Sequence, residues 1–116
     1  MNKPAFVKIL KGCRALPVVL MLMVPAGSAL ASEKLAIEQE CMDCHTIEKT
    51  TGKRKTGPPY VDIAAKYKGV PDAEAKLFEK VKKGGSGNWG KVPMAPNPHV
   101  SDADIRTLVK WVLAMS

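Results

Sequence analysis

The sequence feature that most constrains this chain is the pentapeptide CMDCH at residues 41–45. Two cysteines separated by two residues can form a redox disulfide, supply half of a zinc site, or bind a haem through two thioether bonds. The histidine that directly follows the second cysteine favours haem. On a helix the residues at i, i+3 and i+4 lie on one face, so both thiols could reach the porphyrin vinyl groups while the imidazole reaches the iron.

Three other interpretations of the motif stay open, and each fits the rest of the sequence less well. A zinc site needs four ligands, usually from two such pairs, whereas His99 is the only other histidine in the sequence. A thiol-disulfide oxidoreductase of the thioredoxin kind requires alternating strands and helices, and the sequence has almost no strand pattern. A structural disulfide beside an incidental histidine is the third.

Residues 1–31 are predicted to be a cleaved secretory signal peptide. The segment combines a basic start, an apolar run at residues 16–24 and a small-x-small cleavage site at residues 29–31. The apolar run is well below the roughly 20 residues needed to span a bilayer. Cys13 precedes that run, which argues against a lipid-accepting cysteine. We therefore expect one exported domain at residues 32–116, periplasmic, soluble and without stable membrane insertion.

The charge of the exported domain is modest. The whole chain has a formal net charge of +7, but four of its 18 basic residues lie in the signal and all 11 acidic residues follow it. The domain therefore has a net charge of about +3, which removes the main support for nucleic-acid binding. A domain of 85 residues buries a modest core and usually needs an additional stabilising element, such as a disulfide or a bound cofactor. Cys41 and Cys44, its only cysteines, are the residues that can supply one.

The hydrophobic pattern predicts an all-α domain of about four helices. The helices are expected at residues 33–44, 61–67 and 72–83, and from Ser101 to near the C-terminus. The first of them would place Ile37 on the same face as the CMDCH motif. Ser101 is a good N-cap with Asp104 three residues later, and Val100 and Ile105 have the spacing of a hydrophobic staple.

Two long loops complete this pattern, at residues 46–60 and 84–99. The second loop is rich in Gly and Pro, so we expect it to lack regular structure. Loops this long in a small domain are usually functional or wrap around a ligand.

Met94 is the candidate for the sixth position of a histidine-bound iron. It lies 49 residues after His45 in a loop where Pro93 and Pro96 make the backbone rigid. The alternative is that Met94 is a core residue that fills a gap. His99 could compete for the iron, but we expect it to be an exposed loop residue.

Five segments of the sequence resemble one family. They are CMDCH, GPPY, VDIAAKY, NWGKVPMAPNP and LVKWVLAM, in this order, and they cover essentially residues 33–115. The sequence resembles the small bacterial class I cytochromes c, which are short-chain, soluble, periplasmic electron carriers. The resemblance implies the class I cytochrome c fold, in which helices and long loops surround one covalently bound haem c.

The same resemblance assigns roles to residues. It implies thioether bonds from Cys41 and Cys44. It implies that His45 and Met94 are the two axial ligands of the iron.

Residues around the haem are assigned in the same way. Pro58 matches a proline whose carbonyl accepts the N–H of the proximal histidine, and Trp89 matches a tryptophan that hydrogen-bonds a haem propionate. Asn97 matches an asparagine near the ligand sulfur. Trp111 matches an aromatic residue of the last helix that packs near the haem. The loop at residues 48–56 is slightly longer than is usual in the family.

Filled axial positions predict a one-electron carrier rather than an enzyme, because oxygen, peroxide and substrate have no open site on the iron. The resemblance implies a monomer in a respiratory chain with transient redox partners. A quinol-oxidising cytochrome complex or another reductase would be the donor, and a terminal oxidase, nitrite reductase or peroxidase the acceptor. The alternative is a haem enzyme or a gas or peroxide sensor in which Met94 leaves the iron.

Basic residues of the two loops are candidates for steering acidic partners. Lys53, Arg54, Lys55 and Lys91 lie where the loops would flank the haem edge. The alternative is a generally solvated basic surface.

Overall fold

Five helices and a two-stranded sheet make up the part of the chain that the computed structural model describes, residues 27–52 and 55–116. The first 26 residues of the predicted signal, and Lys53 and Arg54, lie outside the described residues. The helices are α1 (Gly27–Glu38), α2 (Cys41–Cys44), α3 (Tyr60–Tyr67), α4 (Ala73–Lys83) and α5 (Asp102–Leu113), and the strands β1 (Gly85–Gly87) and β2 (Gly90–Met94) lie between α4 and α5. The mostly helical class is confirmed.

The prediction of one continuous helix at residues 33–44 is wrong. The helix ends at Glu38, and Glu40 has a φ of 59° before α2 begins at Cys41. This left-handed residue changes the direction of the chain, because helical backbone requires a negative φ. The side chain of Ile37 is therefore 58% exposed and does not share the face of the motif, whereas Ala36 is buried.

Helix α5 lies at the centre of the packing and contacts α1, α3 and α4. Its buried side chains are Ile105, Leu108, Val109 and Val112. The predicted N-cap is confirmed, because the Ser101 hydroxyl accepts a hydrogen bond from the Asp104 N–H at 3.1 Å. Val100 and Ile105, the predicted staple, are the largest fully buried side chains in the described part of the chain.

Helices α3 and α4 agree with the predicted bounds to within one residue. Gly69 follows α3 with a φ of 70°, and Gly84 follows α4 with a φ of 69°, positive values that glycine adopts readily. Leu77 of α4 is buried, and Phe78 and Val81 pack against the same core.

The prediction that residues 84–99 lack regular structure is wrong. Strands β1 and β2 pair antiparallel, with Gly85 opposite Met94 and Gly87 opposite Gly90. Gly87 and Gly90 have φ values of 118° and 110°, which an L side chain rarely adopts, so glycine permits this tight turn. The hairpin is exposed and glycine-rich, and it therefore lacks the alternating pattern by which a strand is recognised in a sequence.

The hairpin also fixes the backbone of Met94 close to the end of α4. A Cβ atom at Gly84 would lie 2.4 Å from the Met94 carbonyl oxygen, so only glycine allows this approach. Among the helices of the described residues, none has the length and hydrophobicity needed to cross a membrane.

Candidate functional site

A cavity of about 540 Å³ brings the motif and the hairpin together. This volume falls within the about 300–1,000 Å³ that is typical of ligand and cofactor sites. Cys41, Cys44, His45 and Met94 all line the cavity, although Met94 lies 49 residues after His45. Its apolar walls come from three helices and include Ile63, Leu77, Val81, Leu108, Val109 and Val112.

His45 is buried, with 8% of its surface exposed, and follows the last residue of α2. Its Nδ1 lies 2.7 Å from the Pro58 carbonyl oxygen. Because a carbonyl can only accept, Nδ1 is the protonated nitrogen and Nε2 is left free as a metal ligand. This is the hydrogen bond that the resemblance implied for Pro58.

The surroundings of His45 keep its imidazole neutral and fixed in place. Burial lowers the pKa of His45, the charge of Lys55 lowers it further, and the hydrogen bond to Pro58 partly opposes both effects. Gly57 packs so tightly against the ring that an added Cβ would lie 2.6 Å from Cε1. A neutral, oriented imidazole is the form that binds iron.

Cys41 and Cys44 are free thiols on the single turn of α2. Cys41 is half-buried and Cys44 is exposed, and both face the cavity. Burial raises the pKa of the Cys41 thiol. The described residues contain no group of three or more His, Cys, Asp or Glu side chains that could hold a metal ion.

Met94 is half-buried at the end of β2, and Asn97 fastens the loop that follows it. The Asn97 N–H and its Nδ2 each donate to the Val81 carbonyl at 3.2 Å, and Nδ2 also donates to the Ala95 carbonyl at 3.0 Å. These bonds connect the Met94 segment to α4. The proximity of Asn97 to the ligand sulfur stays a prediction, but this anchoring role was not evident from the sequence.

Trp89 lines the cavity at the tip of the hairpin and is 41% exposed. Lys66 of α3 lies with its Nζ 4.6 Å from the centroid of the Trp89 ring and donates to the Asn88 carbonyl at 2.7 Å. These contacts fasten the hairpin tip to α3. A hydrogen bond from Trp89 to a haem propionate stays a prediction. His99 is exposed and does not line this cavity.

One residue of the site, Tyr60, and one contact, between Lys55 and Met42, were missed at the sequence level. Tyr60, the last residue of GPPY, lines the cavity and stacks on the His45 ring. Lys55 also lines it and donates through Nζ to the Met42 carbonyl. The position of Tyr60 two residues after Pro58 was the available signal, whereas nothing in the sequence pairs Lys55 with Met42. Trp111 lies edge-on to Tyr60, with 5.5 Å between the ring centroids.

These residues fit a haem. Two thiols on one turn, a neutral imidazole with a free Nε2 and a thioether from the hairpin meet in one cavity with apolar walls. Gly57 leaves the His45 ring the space that a side chain would fill. The fold and the site therefore define a small helical protein that binds haem covalently.

Comparisons with known proteins agree with this class. The family model described as Cytochrome c matches residues 29–116. The chain is 48% identical over 93 residues to cytochrome c-551 of Allochromatium vinosum, covering 80% of this chain and 95% of that protein. It is 46% identical over 90 residues to cytochrome c-552 of Hydrogenobacter thermophilus, covering 78% and 87%.

A solved structure gives the same result for the fold. The crystal structure of wild-type Nitrosomonas europaea cytochrome c552 matches with a TM-score of 0.66 and 43% identity, over 72% of this chain and 99% of that chain. The chain belongs to the cytochrome c family, as a small class I c-type cytochrome with covalently bound haem c. The family resemblance, the fold class and the cofactor are thus confirmed, and the protein is a haem-based electron carrier.

Proposed function

We propose that the protein is a one-electron carrier of a periplasmic respiratory chain. In this proposal Cys41 and Cys44 would hold the porphyrin through thioether bonds, and His45 and Met94 would bind the iron. The observation that carries the proposal is that these four side chains line one cavity, although they come from two distant segments. A bound haem c supplies an iron that gains and loses one electron between its Fe(III) and Fe(II) states.

His45 contributes a preoriented ligand. The Pro58 carbonyl accepts a hydrogen bond from Nδ1, which fixes the orientation of the ring and increases the basicity of Nε2. The lowered pKa of His45 keeps the ring unprotonated at neutral pH, so Nε2 is available to the iron.

Met94 contributes a weak ligand that the protein must hold in place. The hairpin and the Asn97 hydrogen bonds restrict its backbone, and a thioether ligand favours the reduced state. The apolar walls of the cavity also favour the reduced state, because burial disfavours the extra positive charge of the oxidised state. With His45 and Met94 both bound to the iron, no position would remain for a substrate, and the protein would only transfer electrons.

Partner binding follows from the surface around the cavity. Lys55 is exposed and lines it, as does Lys80 of α4, and Lys91 is exposed on β2. These positive charges would steer acidic redox partners into a weak and transient contact that weakens as salt concentration rises. The proposed donor is a quinol-oxidising cytochrome complex or another reductase. The proposed acceptor is a terminal oxidase, a nitrite reductase or a peroxidase.

Export is part of the proposal. Residues 1–31 would act as a cleaved signal peptide, and the domain at residues 32–116 would be the exported protein. The family match begins at residue 29, close to the proposed cleavage site.

Visible spectroscopy of the purified ferric protein tests the ligand set. We expect a low-spin, six-coordinate haem with a weak charge-transfer band from the thioether to the iron. Met94→Ala should abolish the band, whereas Met115→Ala should keep it, because Met115 packs against the core near the C-terminus. Absence of the band from the wild-type protein would overturn the His45 and Met94 assignment and favour a sensor or enzyme with an open iron site.

A further inference from the structure

Tyr60 lies between His45 of the CMDCH motif and the hydrophobic core. It is the first residue of α3, it is only 6% exposed, and its backbone N–H donates to the Thr46 carbonyl at 2.8 Å. The side chain contacts the site on one side and Trp111 of α5 on the other. No role was assigned to this residue from the sequence.

The Tyr60 ring covers one face of the His45 imidazole. The two ring centroids are 5.2 Å apart and the planes are inclined by only 20°, so the rings are stacked. The Pro58 hydrogen bond fixes one nitrogen of the imidazole but leaves rotation about the axis of that bond. A stacked ring restricts this rotation, because the imidazole plane cannot turn without losing the contact.

Trp111 holds Tyr60 in position from the far side. The Trp111 ring meets the Tyr60 ring nearly edge-on, at an interplanar angle of 75° and a centroid distance of 5.5 Å. Tyr60 and Trp111 both belong to the cluster around α5. The orientation of the His45 ring is thus connected to the hydrophobic core through two aromatic contacts.

We propose that Tyr60 is a positioning residue for electron transfer, whose ring orients the His45 imidazole. The proposal rests on the proposed function, because it takes His45 as an iron ligand. It is independent of Met94.

Two variants at this position test the role of the ring. Tyr60→Leu removes the ring, so the hyperfine-shifted proton resonances of His45 in the ferric protein should move. Tyr60→Phe is the matched control, because it keeps the ring stacked on His45, and it should keep the wild-type resonances.

The proposal is overturned if Tyr60→Leu keeps the wild-type His45 resonances while its melting temperature falls, because Tyr60 would then be only a core residue. It is also overturned if Tyr60→Phe moves these resonances as far as Tyr60→Leu does. If Tyr60→Leu does not fold, Trp111→Leu decides in its place, because Trp111 holds the Tyr60 ring from the far side. Its His45 resonances should also move, and wild-type resonances would overturn the proposal. Failure of the proposed function is seen separately, in a wild-type spectrum that lacks the thioether band.

Discussion

The imidazole of His45 is restrained by three different contacts. Pro58 accepts the Nδ1 proton, Gly57 lies against the edge of the ring, and Tyr60 covers one face. Only neutral groups make these contacts, so the ring is oriented without a charged partner that would favour its protonation. An electron carrier benefits from this arrangement, because a ligand that does not move between redox states keeps the reorganisation small.

Gly57→Ala tests the tight packing at this ring. The added Cβ would lie 2.6 Å from His45 Cε1 and 2.9 Å from the Cys44 carbonyl oxygen, so the ring or the backbone must shift. Overpacking of this kind costs about 1–3 kcal/mol, which denaturant unfolding of the haem-loaded protein would measure. Gly52→Ala is the control, because its Cβ would meet nothing within 4 Å. Equal stability of the Gly57→Ala variant and the wild type would contradict the packing argument.

At the scale of elements, α5 is the part of the fold that its sequence specifies most completely. The N-cap, the staple and the apolar face of α5 all agree with the structure because each depends on spacing within about one turn. Helices α3 and α4 agree for the same reason.

The break between α1 and α2 and the β1–β2 hairpin could not be predicted from the hydrophobic pattern. Glu40 interrupts the first helix although glutamate favours helices, so the left-handed turn that reorients α2 leaves no local signal. The hairpin depends on glycines with positive φ rather than on strand-forming residues. Cys41, Cys44, His45 and Met94 were predicted from motif and resemblance, and all four line the cavity. The contacts of Tyr60, Lys55 and Asn97 join distant segments, and only the fold brings them together.

Ser101→Ala tests the N-cap of α5. The variant loses the hydrogen bond from the Asp104 N–H and leaves that donor without its side-chain partner. We expect a loss of about 0.5–2 kcal/mol in the free energy of unfolding, measured by denaturant titration. Ser116→Ala serves as the control, because Ser116 is exposed at the C-terminus and its hydroxyl donates to the Leu113 carbonyl. A loss in Ser101→Ala no larger than in this control would show that the cap is dispensable.

At the scale of the whole molecule, the cofactor cavity and the hydrophobic core share their walls. Ile63, Leu77, Val109 and Val112 belong to the core cluster and also line the cavity. A fully buried aliphatic side chain contributes about 1.5–3 kcal/mol, and small domains have a total stability of only about 5–15 kcal/mol. The haem therefore completes the core as well as providing the function.

Removal of the cofactor should show this dependence. The double variant Cys41→Ala/Cys44→Ala cannot form thioethers, so after haem extraction its cavity walls are exposed to water. We expect it to melt at a clearly lower temperature than the haem-loaded wild type, followed by far-UV circular dichroism under the same conditions. An unchanged melting temperature would mean that the helices fold independently of the haem.

The most direct test of the account is exposure of the reduced protein to carbon monoxide, because this gas binds ferrous haem only where an axial position is open. If His45 and Met94 both occupy the iron, the visible spectrum of the reduced wild type stays unchanged under carbon monoxide. The Met94→Ala variant then takes up the gas, with the spectral shift of a carbon monoxide complex. Rapid uptake of carbon monoxide by the wild type would contradict the closed iron site and the carrier function built on it.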